Sequence, residues 1–430
     1  MLTSLKGINK RAQSHKQHRF GGLYRLLNIE NLRWAYGQLN KRSATGVDRV
    51  SYFEYGQNLE ENLEDLVKRL KNKSYKAKLI RRCYIPKSAT KLRPLGIPAL
   101  EDKLLQYASA KILESIYEAD FIQESYGYRP NRGARDAVKL TKEIAMFNNC
   151  NYVVEADIKG FFDNIDHNWL LRMLSQRIED KALLELIRKW LKAGILEDGQ
   201  VIHPESGTPQ GGVISPVLAN VYLHYALDLW FEKRIRTKCI GTSRIIRYAD
   251  DFVCLFQAES EASTFYSQLG MRLKKFNLEV APEKTKKLIF SRYKTRKENQ
   301  SFEFLGFEFH WETSHKGKRY VRARTSTKNL CSGIKRFTEW IQSNRDKKLR
   351  PLMENVRRKF MGYYNYYGLM GNNRRLSHFW FKCLRILFKW LNRRSQKRSY
   401  NWKGFKELIE YFGIPKPEVT EKKIVNSFRL

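Results

Sequence analysis

The residues with the clearest chemical potential are two adjacent carboxylates, Asp250 and Asp251, at the centre of an apolar stretch. Ile245 and Ile246 precede them, and the run 252–256 that follows is also apolar. This pattern predicts a β-hairpin with the acids at its tip. Two like charges beside buried strands are unfavourable unless a cation compensates them. The pair therefore indicates a divalent-metal site, and an ordinary solvated turn is the alternative, since acids favour turns.

A third acid follows another predicted strand, because Asp157 lies in the mainly apolar run 152–158. If this strand pairs with the hairpin, three carboxylates come within a few ångströms of each other. Two Mg²⁺ ions bridged by such carboxylates can activate an attacking hydroxyl and stabilise a leaving pyrophosphate. The apolar flanks and the second acid-ended strand weaken the alternative of isolated turn acids.

The charge of the chain indicates a polyanionic partner. Its 430 residues carry a formal net charge of +37, and residues 311–430 hold 30 Lys or Arg against 8 Asp or Glu. Nucleic acid, bound mainly through its phosphates, is the partner that best fits this excess, and a membrane surface is the alternative. No apolar run approaches the roughly 18 residues of a spanning helix, and the N-terminus has no signal-peptide core. The six cysteines are scattered without a CxxC pair, so neither a zinc site nor a disulfide framework is expected.

Hydrophobic periodicity predicts a mixed α+β core followed by an all-α basic region. Residues 1–75 show helical spacing, 79–85 and 92–97 resemble strands, and 302–309 alternate as one strand. Further helices are expected at 101–117, 136–147, 215–230 and 264–276, with Asp166 as the N-cap of another. From residue 326 onwards the helical period returns, interrupted by clusters of aromatic residues.

Several motifs together resemble those of reverse transcriptases, and in particular the reverse transcriptase/maturase proteins encoded by bacterial group II introns. The YADD sequence around Asp250 resembles the YxDD box of that family, and other blocks follow the family's order along nearly the whole chain. A DD pair alone would be weak evidence, whereas the ordered set is specific. The blocks are IPK (85–87) with RPLGIP (93–98), YGYRP (126–130), DIKGFFDNIDH (157–167), GTPQGGVISP (207–216), YADD (248–251), PEKTK (282–286) and FLG (304–306).

The resemblance implies a right-hand polymerase with fingers, an antiparallel-sheet palm and an all-α thumb. It divides the chain into an N-terminal extension (1–75), fingers and palm (76–310), a thumb or maturase domain (311–394) and a short basic, DNA-binding-like tail (395–430). There is no sign of an HNH endonuclease domain, so independent cutting of a second DNA strand is in doubt.

The resemblance also assigns site residues. Asp157 and Asp250 would hold two Mg²⁺ ions, for which Mn²⁺ could substitute, together with the Ile158 carbonyl and with Asp251 as a supporting ligand. The residues expected at the nucleotide and the primer are Lys87 and Arg93 on the triphosphate, Phe162 as a steric gate against ribose, Gln210 beside the nucleotide, Lys284 (with Lys286 as its rival) as a proton donor to pyrophosphate, and Leu305-Gly306 as the primer grip.

Each of these residues also has an ordinary structural explanation. Phe162 could be a core phenylalanine, since Phe161 stands beside it and one of the two should point inward. Lys87, Arg93 and Lys284 could be solvated side chains of a turn, a strand and a lysine run. Most aromatic residues after position 360 are expected to pack between helices.

The predicted function is RNA-directed DNA polymerisation by an intron-encoded enzyme that also binds its intron RNA to assist splicing and mobility. The expected partners are intron or template RNA, a DNA primer or target, and dNTPs, in a bacterial cytoplasm near the nucleoid. One alternative is an RNA-binding maturase with little polymerase activity, although three intact carboxylates argue against it. The other is a domesticated reverse transcriptase in DNA repair or phage defence, which would differ only in genomic setting.

Overall fold

The computed structural model shows a mixed α+β protein in which helices surround several β-sheets. This confirms the α+β class expected from the hydrophobic periodicity. Within the part of the chain that the structure describes, no helix is both long enough and apolar enough to span a bilayer. The described residues are 1–86, 92–197, 199–203, 205–208, 211–295, 297–394 and 399–421.

The elements are numbered in chain order. The helices are α1 (Leu2–Ser14), α2 (Ile29–Gln38), α3 (Tyr52–Gln57), α4 (Leu59–Lys71), α5 (Leu100–Tyr117), α6 (Ala134–Phe147), α7 (His167–Ser175), α8 (Lys181–Leu191), α9 (Ser215–Leu223), α10 (Glu259–Lys274), α11 (Thr327–Asn344), α12 (Leu349–Tyr367), α13 (Asn373–Leu391) and α14 (Trp402–Tyr411). The strands are β1 (Ile80–Pro86), β2 (Leu92–Ile97), β3 (Tyr152–Ala156), β4 (Ile195–Glu197), β5 (Gln200–Ile202), β6 (Ser243–Tyr248), β7 (Asp251–Phe256), β8 (Lys286–Ile289), β9 (Phe302–Phe304), β10 (Phe307–Thr313) and β11 (Arg319–Thr325).

The N-terminal region is helical, as predicted, and packs on the long helix α5. Helix α4 buries Leu63, Leu66, Val67 and Leu70, whose spacing of three and four residues places them on one face. Helix α3 begins with a capping box in which Ser51 and Glu54 exchange side-chain and backbone hydrogen bonds.

The first sheet has the strand order β2-β1-β4-β5. Strands β1 and β2 form the predicted antiparallel pair, with Arg81 opposite Ile97 and Pro86 opposite Leu92. The connection between them, 87–91, lies outside the described residues and includes Lys87. Strand β4 pairs in parallel with the other side of β1, after a long connection that contains β2, β3 and α5 to α8.

The central sheet has the strand order β6-β7-β3-β8, and all neighbouring strands are antiparallel. Both faces of the two middle strands, β3 and β7, are covered, so most of their successive side chains are apolar and point alternately into two cores. Val154 and Cys254 contribute to the core shared with the helices, whereas Val153 and Val253 contribute to the core shared with the third sheet. Complete burial of such a side chain stabilises the fold by roughly 1.5–3 kcal/mol.

The third sheet, β11-β10-β9, corrects the prediction of a single strand over 302–309. Leu305 and Gly306 both have positive φ, 50° and 79°, and the chain reverses there, so that Phe304 pairs with Phe307. A two-residue turn with two positive φ values matches the right-handed twist of the strands it joins. The apolar alternation predicted strand structure correctly but could not reveal the reversal.

The helices expected from residue 326 onwards are confirmed, but the all-α domain whose start was expected at 311 begins with strands. The end of β10 and all of β11 occupy part of 311–325, and the C-terminal helices start at Thr327. The start of the expected region was set by the charge excess, which does not report secondary structure. Helices α11 to α14, called here the C-terminal helical unit, share one core.

The expected tail is not separate from this unit in its described part. Phe405 and Ile409 of α14, and Ile414 after it, lie in the same core as Phe360 and Phe379. Whether residues 395–430 bind DNA remains a prediction.

Beyond α14, Thr420 and Glu421 form what we call the C-terminal latch. Arg135 of α6 donates hydrogen bonds to Thr420 Oγ1 at 3.0 Å and to the Asn365 carbonyl of α12 at 2.7 Å. Glu421 lies 3.5 Å from the ammonium of Lys139 on α6 and accepts from the Met370 backbone N–H at 2.6 Å. The latch therefore ties α6 to the end of α12.

The helix predicted over 215–230 extends further and changes its pitch. After α9 the chain continues through π-helical turns at His224–Asp228 and Phe231–Ile235. A π-turn places an extra residue in the helix and rotates the side chains that follow it. Helix α10 likewise starts at Glu259, before the predicted residue 264, and Asp166 caps α7 as expected, accepting from Trp169 N–H at 2.8 Å.

Candidate active site on the central sheet

The three predicted carboxylates converge because β3 and β7 are direct neighbours. Ala156 pairs with Phe252, so the adjacent residues Asp157 and Asp251 lie at the same end of the two strands. Their side chains are within hydrogen-bonding reach of each other. Asp250 occupies the turn between β6 and β7, where Tyr248 pairs with Asp251. The antiparallel register expected from the sequence thus brings all three acids to one edge of the central sheet.

The electrostatics of this edge are those of crowded carboxylates. Burial, followed by repulsion from Asp157, raises the pKa of Asp250 above its ordinary value. The pKa of Asp251 is raised as well, by its low-dielectric surroundings and by repulsion from Asp250 and Asp157, although its side chain reaches the surface. Negative charge is therefore under-compensated here, and a bound cation would relieve the repulsion.

Lys284 supplies part of the missing positive charge. Its ammonium donates a hydrogen bond to Asp157 Oδ2, and that bond raises the pKa of Lys284. Its rival Lys286 begins β8 and stands opposite Glu155, further along β3. Of the two lysines, Lys284 is thus the one that the structure places on the acidic edge.

The donor set suits Mg²⁺, which prefers oxygen ligands. Within the described ranges, no group of three or more His, Cys, Asp or Glu side chains is gathered closely enough to enclose a metal ion by itself. Mg²⁺ is commonly held by one or two carboxylates, with water and substrate phosphates completing its shell. The close pair Asp157 and Asp251, with Asp250 in the adjoining turn, fits ions held in that way.

Ile158 follows Asp157 and fixes the backbone beside the acids. Its side chain is buried, and its backbone pairs with Val280. The neighbouring residues are tied to the same segment, because Ala281 N–H donates to the Asp157 carbonyl at 2.9 Å and Lys159 N–H donates to the Glu279 carbonyl at 2.8 Å.

Of the two phenylalanines that the sequence could not distinguish, Phe161 points into the core and Phe162 does not. Phe161 is buried in the core, and Phe162 is only partly buried. The ring of Phe162 stands edge-on to Tyr128, with 6.5 Å between the centroids. Burial, followed by the nearby Asp250, raises the pKa of Tyr128. Phe162 is thus the phenylalanine on the side of the carboxylates.

The loop after β5 approaches the same region. Thr208 N–H donates to the Phe162 carbonyl at 2.8 Å, and the His167 ring bonds the Gly207 carbonyl at 2.7 Å. A Cβ on Gly211 would lie 3.0 Å from the Gly96 carbonyl of β2. Gln210, between these anchored positions, lies outside the described residues.

Arg93, on β2 of the first sheet, interacts electrostatically with the carboxylates. It is exposed on β2, and its charge lowers the pKa of Asp250 against the upward effect of burial. Lys87, its expected companion, falls in the connection outside the described residues.

The Leu305-Gly306 turn is hydrogen-bonded to α12 and to Ser326, the N-cap of α11. Tyr366 of α12 donates its hydroxyl hydrogen bond to the Leu305 carbonyl at 3.0 Å, and Ser326 N–H donates to the Gly306 carbonyl at 3.0 Å. Burial is the main cause that raises the pKa of Tyr366 to about 12, and the nearby Asp251 adds to it. From its sequence this tyrosine was expected to pack between helices, because an aromatic cluster gives no other signal.

Comparisons with known proteins agree with this arrangement. Residues 85–309 match the family model described as reverse transcriptase (RNA-dependent DNA polymerase). The group II intron-encoded protein LtrA of Lactococcus lactis subsp. cremoris is 31% identical over 466 aligned residues, which cover 88% of this chain and 75% of that protein.

Two further relatives match shorter parts of the chain. Protein YkfC of Escherichia coli (strain K12) is 35% identical over 240 residues, covering 49% of this chain and 62% of that protein. Nuclear intron maturase 2, mitochondrial, of Arabidopsis thaliana is 24% identical over 233 residues, covering 45% and 30%. The family match covers the central sheet, including every carboxylate of the acidic edge, and the first sheet except most of β1. The chain belongs to the reverse transcriptase family of RNA-dependent DNA polymerases, within its group II intron-encoded branch.

Proposed function

We propose that the acidic edge of the central sheet is the polymerase active site, which adds dNTPs to a primer 3′-hydroxyl on an RNA template. The observation that carries this proposal is the direct pairing of β3 with β7, which brings Asp157 beside Asp250 and Asp251. Polymerisation on this edge would explain why like charges are concentrated in an otherwise basic chain.

Asp157 and Asp250 would hold two Mg²⁺ ions, or Mn²⁺ in their place, with Asp251 in support and the Ile158 carbonyl as a further ligand. When bound, these ions would activate the attacking hydroxyl and neutralise charge on the leaving pyrophosphate. Lys284 would transfer a proton to that pyrophosphate, and the contact of its ammonium with Asp157 supports this role.

The remaining predicted residues would position the nucleotide and the primer. Arg93, and Lys87 beyond the described residues, would neutralise the triphosphate. The partly buried ring of Phe162 would exclude a ribose 2′-hydroxyl, with Gln210 nearby. The Leu305-Gly306 turn would support the primer terminus.

In this proposal the first sheet belongs to the fingers, the central sheet is the palm, and the C-terminal helical unit is the thumb or maturase domain. The cations outside its core would contact RNA phosphates, so that the protein also binds its intron RNA and assists splicing, in a bacterial cytoplasm near the nucleoid. Two intron-protein relatives support an intron setting.

Asp250→Asn tests the site. We expect this variant to lose at least about 10³-fold in primer extension on an RNA template with dNTPs and Mg²⁺, because it removes charge where the ions would bind. Binding and splicing of the cognate intron RNA should persist, since the substitution leaves the helical unit intact.

Asp65→Asn is the matched control, because Asp65 is an exposed carboxylate on α4 paired with Arg69. It changes the net charge equally and should extend primers at the parental rate. Parental extension by Asp250→Asn would overturn the assignment of the active site.

A further inference from the structure

We infer that Arg247 is a positioning residue, which fixes the catalytic turn through the carbonyl of Ala249. This inference rests on the proposed active site, and it concerns a side chain outside the predicted set of site residues. Arg247 is on β6, one residue before Tyr248, and its side chain is fully buried. A buried arginine is uncommon because removing a guanidinium from water is unfavourable unless all its donors find partners.

The guanidinium of Arg247 has partners on two sides. Nε and Nη2 donate to the two carboxylate oxygens of Asp228 at 2.8 and 2.6 Å, a bidentate pair whose side chains are both fully buried. Nη1 donates to Asn220 Oδ1 at 3.1 Å and to the Ala249 carbonyl at 3.0 Å. One rigid planar group therefore joins the helix after α9 to the peptide that links Ala249 to Asp250.

That peptide needs support because its backbone conformation is unfavourable. Ala249 has a φ of +56°, a left-handed conformation that residues with a Cβ rarely adopt. Strained backbone of this kind persists only where the surroundings hold it. The hydrogen bond from Arg247 acts directly on the strained residue, immediately before Asp250.

A second contact supports the same turn. A Cβ added to Gly127 would lie 2.3 Å from Ala249 N and 3.0 Å from Ala249 Cα, so the two backbones touch. Asn220 donates to the Gly127 carbonyl at 2.7 Å while accepting from Arg247. Asn220 thus connects both supports of the turn.

The backbone of Arg247 completes the arrangement. Arg247 N–H donates to the Glu124 carbonyl at 3.0 Å, and its carbonyl accepts from Tyr126 N–H at 2.8 Å. The segment that carries Gly127 is therefore held to β6 independently of the guanidinium. The π-turn at 224–228 places Asp228, its last residue, opposite the arginine fork.

Stability alone does not explain this ion pair. Apolar residues of similar volume often replace a buried ion pair with no loss of stability, whereas removing one partner is strongly destabilising. An apolar pair, however, could not donate to the Ala249 carbonyl. The double variant Arg247→Met/Asp228→Leu therefore separates a positioning role from a structural one.

We expect the double variant to unfold cooperatively with near-parental stability and to lose roughly 10²-fold in kcat at saturating dNTP, the loss that a misplacement of about 1 Å can cause. The KM for dNTP should change by less than about threefold, since the groups proposed to contact the nucleotide are untouched. A double variant with near-parental stability and a parental kcat would refute the inference.

Arg247→Lys provides a second variant if the double variant does not fold. Lysine keeps the charge opposite Asp228, but its ammonium cannot span Asp228, Asn220 and the Ala249 carbonyl as the guanidinium does. The matched control is Arg177→Lys, because the buried Arg177 pairs with the partly buried Asp120 at 3.0 Å. The other donors of Arg177 bond the carbonyls of Ala12, His15 and Lys16, away from the turn.

The lysine variants should lose similar stability, and only Arg247→Lys should lose kcat by roughly tenfold or more. An equal kcat for the two lysine variants, corrected for their folded fractions, would also refute the inference. Asp250→Asn is assayed alongside them. If it retains activity, the proposed site is wrong, whereas a collapse in Asp250→Asn with a parental kcat in Arg247→Lys rejects the positioning role alone.

Discussion

The central sheet and the C-terminal helical unit use charge in opposite ways. In and around the central sheet, the Arg247–Asp228 pair is buried and individually partnered, and the carboxylates of the acidic edge are crowded together. In the helical unit the core is apolar and contains aromatic contacts, such as Tyr363 and Phe379 stacked at 3.6 Å between centroids. Cations such as Arg350 and Arg358 stand outside that core, in loose pairs with Glu354 at 3.8 and 4.0 Å.

The difference shows how one chain can combine chemistry with binding. A buried charge requires a defined geometry because each unpaired donor or acceptor is costly there. An exposed cation is screened and tolerates many geometries, so it attracts a polyanion without fixing its position. The buried charges of the central sheet can therefore hold atoms in defined positions, whereas the exposed cations of the helical unit provide long-range attraction for a polyanion.

The largest expected effect on stability is in the apolar core of the C-terminal helical unit. Phe360 is fully buried between Phe337 and Phe379, and Phe360→Ala should lower the free energy of unfolding by about 3–5 kcal/mol through lost burial and a residual cavity. Urea unfolding followed by circular dichroism measures this change. Phe381→Ala, at a position 60% exposed in the same unit, is the control and should cost less than about 0.5 kcal/mol. Equal losses would break the contrast between core and surface.

A smaller effect is the loss of folding stability at acid pH, which we attribute to His224 in the π-turn at 224–228. Burial lowers the pKa of His224 from 6.5 to about 4, assisted by Arg247, Arg129 and Lys233 and opposed by Asp228. The unfolded chain therefore binds a proton at a higher pH than the folded chain does. Stability contributed by neutral His224 is complete above pH 6.5 and falls by about 3 kcal/mol as the pH drops to 4.

His224→Phe should remove that part of the pH dependence of stability, because the phenylalanine ring that replaces the imidazole beside Phe121 cannot bind a proton. Unfolding free energies at several pH values between 6.5 and 4 provide the measurement. His378→Gln, an exposed position on α13, should leave the parental slope unchanged. The prediction fails if His224→Phe and the parent lose stability in parallel.

The smallest effect on stability should come from the exposed cations. Replacing Arg350, Arg357 and Arg358 of α12 with Gln should change the unfolding free energy by less than about 0.5 kcal/mol. The slope of log affinity for RNA against log salt should become shallower by about 2, or about 0.7 for each cation that contacts a phosphate. An unchanged slope would mean that this face of the helical unit does not contact RNA.

The sequence predicted the acidic edge because its signals are local. Asp157 and Asp250 each adjoin an apolar strand, and the order of the family motifs implied that the strands meet. Their direct antiparallel pairing agrees with that prediction. The roles of these residues remain proposals, as do those of Lys87 and Gln210, which lie outside the described residues.

Other features could not be predicted because their causes are not local. A single arginine in a strand is usually exposed, and nothing near Arg247 in the sequence indicates that Asp228, in a helix 19 residues earlier, neutralises it. Alternation along 302–309 is satisfied equally by one strand or by two strands joined at Leu305-Gly306. Only the pairing of Phe304 with Phe307 in the structure distinguishes these possibilities.

The C-terminal latch has a consequence for the order in which parts of the protein fold during synthesis on the ribosome. Arg135 and its partner Thr420 are separated by 285 residues, so the contact closes only after nearly the whole described chain has been synthesised. The central sheet can already assemble once β8 has emerged, at residue 289. Because domains tend to fold as they leave the ribosome, the acidic edge should form first and the attachment of α12 to α6 last. A nascent chain would thus hold its carboxylates in place before the aromatic helices are secured beside them.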